Sequence, residues 1–426
     1  MGVDIKTAAV LGSGGTVGSL TGGLLAQNGI KVHFLSRTLE RAQRGLQRAV
    51  SQARAEVIAR NVVCGDYDHD LEEALDGADW VIEALTEDIG VKRVMYERVE
   101  RCLRPSVIIS STTSSLPLSV LARGRSEAFR RHFLSTHFYN PPGRMLACET
   151  TGQEGTDPDV VALMNAFLTS RLHREVIPVQ NVAAFAGNRI AFLLFSRVTA
   201  LAEEYGVELM DYLLGPYTGR AMAPLATLDL VGLDIHRAII RSLSENTHDE
   251  MSEHFVLPRY IDQMIGLGLL GNKTKQGFYR KLESGRYAFW DPGTSAHVAG
   301  VDPHYVPVEE AKYLIRMGIY RRAFEVMRHA RGKEAQMVID ILCTYVGYAY
   351  QRIGEVTDAR LGIHPIDRVM TFGFHWAAPS VILTMLGREF VIDRLLQMSM
   401  KVPEALREDS SPDSSLLGTG KYFIAR

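Results

Sequence analysis

Apolar positions follow two patterns along the chain, and the change comes near residue 182. Before it, short apolar runs are separated by polar, helix-compatible stretches. The runs are Ala8-Ala9-Val10-Leu11, Val32 to Leu35, Trp80-Val81-Ile82-Glu83-Ala84, Val107-Ile108-Ile109 and Glu175-Val176-Ile177-Pro178. Runs of this length between helical stretches predict buried strands joined by helical crossovers. Leu20 to Ala26 is one such helix, stopped by Asn28-Gly29; Val91 to Cys102 and Asp157 to Ser170 are others. Phe133 to Glu149 reads as a strand, an Asn-Pro-Pro-Gly turn and a second extended run.

After residue 182 the period becomes helical. Phe185 to Gly206 repeats apolar residues every three to four positions, with Asn188 and Arg189 at its polar start. A second helix leads to Gly215, and the glycine-rich basic loop Gly271 to Tyr279 closes this unit. Residues 282–335 read as a connector, with a turn cluster at Asp291-Pro292-Gly293-Thr294 and a basic helix over Ala311 to Arg331. The chain then repeats itself. Ala378-Pro379 and Gly387 echo Ala223-Pro224 and Gly232 at one offset, Asp367 echoes Asp211 one residue out of step, and Glu355 falls near the counterpart of Glu203 or Glu204. The pattern predicts four segments: 1–182, a helical domain over 183–281, the connector, and a second helical copy over 336–426. From about Arg407 to Thr419 the Ser-, Pro- and Gly-rich composition predicts loose chain.

Composition adds exclusions. The 426 residues are 46% hydrophobic and 23% charged, ordinary for globular domains. The net charge of −2, from 47 basic and 49 acidic residues, gives no global field for nucleic acid or an anionic membrane. Cys64, Cys102, Cys148 and Cys343 form no CxxC pair and no zinc spacing, so no metal site is expected and the thiols read as reduced. The chain opens without a charged-then-apolar leader, and no uncharged apolar run is long enough to cross a bilayer. The expectation is a cytoplasmic protein that binds neither membrane nor nucleic acid.

Candidate chemistry starts at Gly12-Ser13-Gly14-Gly15-Thr16-Val17-Gly18, between the first strand and the first helix. Strand, glycine turn, helix, strand is the setting of a dinucleotide fingerprint, in which backbone N–H groups at a helix start meet a pyrophosphate. The plain alternative is a tight turn that binds nothing. The spacing is GxGxxxG, one residue longer than usual. Ser36, Arg37 and Thr38 stand where NAD-selective sites place a carboxylate. An arginine without a carboxylate favours the 2′-phosphate of NADP, or a relaxed choice; Arg37 stacked on adenine or turned to solvent is the other reading. The fold expected is an α/β Rossmann-like N-terminal domain followed by all-α C-terminal domains. If its strands are parallel, Glu87, Lys92, Ser114 and His137 share one rim. Ser110 to Ser115 also reads as a helix-capping cluster. His137, with Glu149 carried back towards it by the turn, is a candidate general base with its orienting partner; a merely packed histidine is the commoner case.

With these motifs in order, the chain resembles the 3-hydroxyacyl-CoA dehydrogenases over nearly its whole length. The likeness is to members with a Rossmann domain and two helical C-terminal copies, as in multifunctional β-oxidation enzymes. It rests on VLGSG…G at 10–18, Glu87…Lys92, TTSSL at 112–116, THFYNPP at 136–142, FAGNRI at 185–190, PLATLDLVGLD at 224–234 and GNKTKQGFY at 271–279. The resemblance implies hydride transfer between C3 of a 3-hydroxyacyl-CoA thioester and a nicotinamide, with His137 as catalytic base and Glu149 as its partner. It implies Ser114 and Asn188 as groups that orient substrate oxygens, and Glu87, Lys92 and Asn140 near the nicotinamide. Gly12, Gly14, Gly15, Gly18, Ser36 and Arg37 complete the expected cofactor set. The cofactor is NAD by the resemblance and NADP by the Ser36-Arg37 argument.

Four departures accompany the likeness. The glycine loop is a residue longer, and Ser36-Arg37 replaces the ribose-binding carboxylate. Thr112 stands where the family usually has asparagine, and Ala183-Ala184 where it usually has Pro-Gly. No enoyl-CoA hydratase domain follows in this sequence, so the expectation is that the chain either acts alone or relies on a separate hydratase partner. In single-module relatives the C-terminal domain pairs with its twin; a second copy in one chain makes either a monomer or a homodimer an expectation. The alternatives are a same-fold dehydrogenase for a carrier-bound thioester or a 3-hydroxy acid, and a non-catalytic dinucleotide-binding protein.

Overall fold

The structure is a computed structural model and describes residues 5–102, 104 and 106–408. The loose segment expected from Arg407 to Thr419 lies, beyond Glu408, outside the described residues. The chain divides into two compact units, Met1–Phe185 and Ala186–Arg426. No helix among the described residues is long and apolar enough to cross a membrane.

The first unit is built on an eight-stranded sheet. Its strands are β1 (Thr7–Leu11), β2 (Lys31–Ser36), β3 (Val62–Asp66), β4 (Trp80–Glu83), β5 (Ile108–Ser111), β6 (Phe133–Phe138), β7 (Ala147–Gly152) and β8 (Glu175–Pro178). Their order is β3-β2-β1-β4-β5-β6-β7-β8. All neighbours are parallel except β6 and β7. The chain winds outward in both directions from β1, so the crevice between β1 and β4 is the switch point where such sheets hold ligands. Helices α1 (Thr16–Gln27), α2 (Leu39–Ala53), α3 (Leu71–Asp76), α4 (Ile89–Cys102), α5 (Leu118–Leu121), α6 (Glu127–Arg131) and α7 (Pro158–Ser170) complete the unit. Three buried apolar clusters form its core, among them one around Phe34, Trp80 and Phe167 and one around Tyr96, Phe129 and Phe133.

Several elements of this unit escaped the hydrophobic pattern, β3 and α2 among them. Strand β3 lies at the sheet edge, with Val63 exposed, so it lacks the apolar run of a central strand. Helix α2 fully buries the small residues Ala42, Gly45 and Ala49, with Leu46 and Val50 half-buried against the core. Strand β5 also runs on into Ser110 and Ser111, the first two residues of the expected helix-capping cluster. Those hydroxyls fit a buried strand because they are paired: Ser110 Oγ accepts from Trp80 Nε1 at 2.9 Å and meets Thr136 Oγ1 at 2.8 Å.

The second unit is helical: α8 (Gly187–Tyr205), α9 (Val207–Leu213), α10 (Pro224–Val231), α11 (Leu233–Asn246), α12 (Arg259–Gly266), α13 (Val306–Arg316), α14 (Tyr320–His329), α15 (Lys333–Gln351), α16 (His364–Phe374), α17 (Pro379–Leu386), α18 (Arg388–Gln397) and α19 (Glu404–Arg407). One antiparallel sheet is added, of strands β9 (Tyr279–Lys281), β10 (Tyr287–Asp291) and β11 (Ala296–Ala299). It occupies much of the expected connector. The basic helix expected over Ala311 to Arg331 is two helices, because the chain turns at Gly318 with φ of 74°.

The same local device occurs twice in this unit. The Asp211 carboxylate accepts from Leu225 N and Ala226 N, both at 2.8 Å, at the start of α10. The Asp367 carboxylate accepts from Ser380 N and Ser380 Oγ at the start of α17. Each of these helices has proline in its first turn and is stopped by a glycine of positive φ, Gly232 or Gly387. Helices α8 and α15 are each 19 residues long and pack on one another. Buried Arg189 of α8 donates to Tyr348 of α15 at 2.8 Å, to Asp249 at 2.8 Å and to Glu355 at 2.7 Å. Arg352 binds the same Asp249 oxygen and also Glu250 and Glu355. Burial works against the Asp249 charge, but Arg189, Tyr348 and Arg352 outweigh it and hold the carboxyl below the usual aspartate range.

Candidate active site

The glycine loop leaves β1 and is pulled onto the end of β2. Gly12 N and Ser13 N both donate to Leu35 O, at 3.0 and 3.1 Å, and Ser13 Oγ joins them at 3.0 Å. Gly12 has φ of 89°, and a Cβ there would stand 2.3 Å from Ala84 O at the end of β4. A Cβ on Gly18 would meet Gly12 O at 2.6 Å, so α1 lies directly against the loop. The extra residue is absorbed on the β2 side. Gly15 N closes a turn on Gly12 O at 2.9 Å, and Gly14 O accepts from Arg48 of α2 at 3.1 Å. Gly45, which the sequence reading did not single out, lets α2 approach; a Cβ there would be 2.1 Å from Ser13 O. The first turn of α1 carries no acidic residue. Its leading N–H groups have no intrahelical acceptor, and the helix starts just after β1, at the switch point. A side-chain-free cradle at a helix start fits the pyrophosphate of a dinucleotide.

At the end of β2, Ser36 is buried against the loop, Arg37 is exposed, and Thr38 caps α2 through Arg41 N at 3.3 Å. Thr38 is therefore occupied in holding the helix, and Arg37 is an exposed cation at this corner, with Arg41 beside the loop.

Below the rim lies a buried ionic hub. Glu83, at the end of β4, accepts from Lys92 Nζ at 2.6 Å, Leu85 N at 2.6 Å, Tyr96 OH at 2.6 Å and Ser111 Oγ at 2.7 Å. Burial disfavours the Lys92 ammonium, but Glu83 and Glu87 outweigh it and leave its pKa above the usual lysine value. Lys92 Nζ also lies 3.4 Å from Glu87, which ties the hub to the rim. Glu87 in turn accepts from Thr113 Oγ1 at 2.9 and 3.1 Å and from Ser114 N at 2.6 Å. Glu83, Tyr96, Ser111 and Thr113 were missed by sequence reasoning. The signal present was a charged residue closing an apolar run, Glu83, which a fully buried strand end tolerates only when paired.

Ser114 leads to the histidine. Its Oγ lies 3.1 Å from His137 Nε2. Across the antiparallel pair, His137 and Glu149 are direct partners in register, and Nδ1 meets Glu149 Oε2 at 2.7 Å. A buried carboxylate on Nδ1 fixes the proton there and leaves Nε2 as the acceptor facing Ser114. Tyr139 OH donates to the same Glu149 oxygen at 2.8 Å. Burial, and then Glu149 itself, push the Tyr139 phenol well above its ordinary pKa, so it stays a donor. The rings of Tyr139 and Phe185 flank the imidazole at 4.9 and 5.8 Å.

The structure thus joins Glu87, Lys92, Ser114, His137 and Glu149 in one hydrogen-bonded chain at the C-terminal ends of β4, β5 and β6. Asn140 is exposed just beyond β6 and makes no part of that chain. Asn188 belongs to the other unit, in the first turn of α8, with its side chain buried. No group of three potential metal ligands occurs among the described residues.

The family model for the 3-hydroxyacyl-CoA dehydrogenase NAD-binding domain matches residues 7–182, and that for the C-terminal domain of the same family matches residues 185–281. A probable 3-hydroxyacyl-CoA dehydrogenase of Bacillus subtilis is 29% identical over 95% of this chain and 54% of its own length. The chain thus spans about half of that relative. A second, from Deinococcus radiodurans, is 35% identical over 66% of this chain and 84% of its own. The crystal structure of a 3-hydroxybutyryl-CoA dehydrogenase from Escherichia coli superposes with a TM-score of 0.67 over 97% of this chain and 98% of that one, at 19% identity, a likeness of fold. Two consecutive domains matched in order, and the Deinococcus relative covered over most of its length, make this chain a member of the 3-hydroxyacyl-CoA dehydrogenase family.

Proposed function

We propose that the protein interconverts a 3-hydroxyacyl-CoA thioester and its 3-oxoacyl form. The observation that carries this is the chain Ser114–His137–Glu149 on the rim that also bears the glycine loop. In oxidation, His137 Nε2 takes the proton of the C3 hydroxyl as C3 gives up hydride. The nicotinamide dinucleotide, when bound, supplies the hydride acceptor, or in reduction the donor. Glu149 offsets the charge of the imidazolium and keeps Nδ1 protonated. Ser114 Oγ, placed by Glu87, donates to the substrate oxygen and fixes it near Nε2. Such positioning contributes several kcal/mol to lowering a barrier of this kind. The role given to Asn188 rests on the family motif alone.

For the cofactor we propose a preference for NADP over NAD, because Arg37 is exposed at the corner where a ribose 2′-phosphate would lie and no carboxylate opposes it. We also propose that residues 183–281 and 336–426 are two copies of one helical module. The repeated Asp–helix-start device and the paired 19-residue helices support this reading. With α8 covered by its counterpart α15, a monomer is the expected form.

The deciding experiment follows nicotinamide absorbance with a panel of 3-oxoacyl-CoA thioesters, a carrier-bound 3-oxoacyl thioester and both cofactors. Turnover of the CoA thioesters that falls about a thousandfold in His137→Ala is expected from a general base. No turnover of any of them, or an unchanged rate in His137→Ala, would refute the assignment.

A further inference from the structure

The Glu149 carboxylate does more than hold His137. One of its oxygens, Oε2, takes two short hydrogen bonds, from His137 Nδ1 at 2.7 Å and from Tyr139 OH at 2.8 Å. Glu149 and Tyr139 are buried, so neither bond is diluted by water. An oxygen shared by two donors attracts each less strongly than it would attract one alone. When His137 becomes an imidazolium, the stabilisation it draws from Glu149 is therefore smaller than an unshared carboxylate would give.

We propose that Tyr139 is a positioning residue that sets the working pH of the His137–Glu149 pair, by hydrogen-bonding the carboxylate oxygen that His137 uses. The inference rests on the functional reading above only in taking His137 as the group that exchanges the proton. The sign follows directly. Removing the phenol hydroxyl concentrates the Glu149 charge on His137, favours the imidazolium, and moves proton uptake by His137 to higher pH.

Other titratable groups surround the pair. Cys148 precedes Glu149 on β7; burial raises its thiol, so it is neutral at working pH. The Arg174 guanidinium faces Cys148 and donates to Pro142 O and Met145 O. Glu87, with Lys92 beside it, reaches the imidazole only through Ser114. Tyr139 shares a Glu149 oxygen with His137, so a change there acts on the pair directly.

The test is Tyr139→Phe, which keeps the ring beside the imidazole and removes one hydrogen bond. The acid limb of the oxidation profile should move up by about half to one pH unit, as expected for one hydrogen bond to a charged group. Oxidation on that limb should fall several-fold, while the alkaline plateau is kept and reduction persists to higher pH. Incorporating 3-fluorotyrosine at position 139 makes a stronger donor and should move the limb down. A loss that is uniform at every pH, with both limbs unmoved, assigns Tyr139 a packing role and overturns the inference. The imidazole titration of His137, followed by 15N NMR in the wild type and in Tyr139→Phe, needs no turnover. If the wild type reduces no thioester, the functional reading fails, and this titration still decides: an upward displacement supports the coupling and an unmoved curve refutes it.

Discussion

The Glu87 carboxylate holds the backbone N–H of Ser114 at 2.6 Å. Its second contact, with the Thr113 hydroxyl, grips the neighbouring residue of the same turn. A carboxylate that the family motif places near the nicotinamide is thus also a clamp on the turn that aims Ser114 at His137. Glu87→Gln replaces one accepting oxygen by a donor and should loosen that turn. The expected result is a loss of about tenfold in kcat/KM, the worth of one charged hydrogen bond, with little change in melting temperature. Ser114→Ala should cost a similar amount, and the double variant should cost much less than the product of the two. Independent, multiplying losses would show that Glu87 does not act through Ser114.

The hub beneath the rim makes a stability prediction. Lys92 and Glu83 are both buried, and Lys92→Met leaves the Glu83 charge without its cation. Breaking a buried pair from one side typically costs about 3–5 kcal/mol. Glu83→Gln combined with Lys92→Met removes the stranded charge and should regain a good part of that loss. Urea unfolding of the wild type, the single and the double variants measures it. A double variant no more stable than Lys92→Met would show that packing, not charge, is what Lys92 supplies.

Much of this architecture was legible because burial leaves a periodic trace. The central strands are apolar runs, the long helix α8 repeats at the helical period, and the Asn-Pro-Pro-Gly turn sets β6 against β7 so that His137 meets Glu149. What escaped was whatever is only half buried or is held by polar pairing. Strand β3 sits at an edge, and α2 buries its larger apolar residues, Leu46 and Val50, only in part. Ser110 reads as part of a helix-capping cluster, whereas Trp80 and Thr136 satisfy it inside a strand. Tyr139 reads as one more aromatic in a strand, since the oxygen it binds belongs to a residue on another strand. The three-stranded sheet lies in a segment with weak alternation and many turn residues.

The junction before α8 stores strain that one substitution should release. Ala184 and Phe185 have φ of 60° and 51°, in the left-handed region, and Phe185 N closes the turn on Val182 O at 3.2 Å. Alanine pays a steric cost there that glycine does not. Ala184→Gly should stabilise the protein by about 1 kcal/mol, after allowing for the extra freedom glycine has in the unfolded chain. Denaturant titration reads this as a higher midpoint at constant m-value. A lower midpoint would mean that the left-handed turn is held without cost by its surroundings.

The cofactor corner gives a prediction of preference rather than of rate. Arg37→Ala should lower kcat/KM for NADPH by about tenfold, the worth of one charged hydrogen bond to phosphate, and leave that for NADH nearly unchanged. Arg37→Asp should restore a carboxylate at the ribose and turn the ratio towards NADH. Equal losses with both cofactors would place Arg37 on the part they share, the adenine, and would remove the argument for NADP.

The last prediction concerns acid stability and turns on His236. This histidine of α11 is fully buried, stacks on Phe192 at 5.7 Å, and has no hydrogen-bond partner on either ring nitrogen among the described residues. Burial without a compensating charge pushes its pKa down to about 3. In the unfolded chain it titrates near the ordinary value of about 6.5. Between those values the unfolded state binds a proton that the folded state refuses, so stability is fully present above about pH 6.5 and is lost as pH falls towards 3. Asp211 and Asp229 act in the opposite sense. Burial raises both to about 6, so between about pH 4 and 6 the folded state holds their protons more tightly and they favour folding in acid. The wild-type slope alone therefore mixes the two effects, and the informative quantity is the difference from His236→Phe. That variant keeps an aromatic ring against Phe192 and has nothing to protonate. Its melting temperature should equal or exceed that of the wild type at pH 7, and the gap should widen steadily from pH 6.5 down to pH 4.5. Parallel curves over that interval would mean that His236 takes up its proton in the folded protein, and that the apolar setting around α11 admits a partner for it.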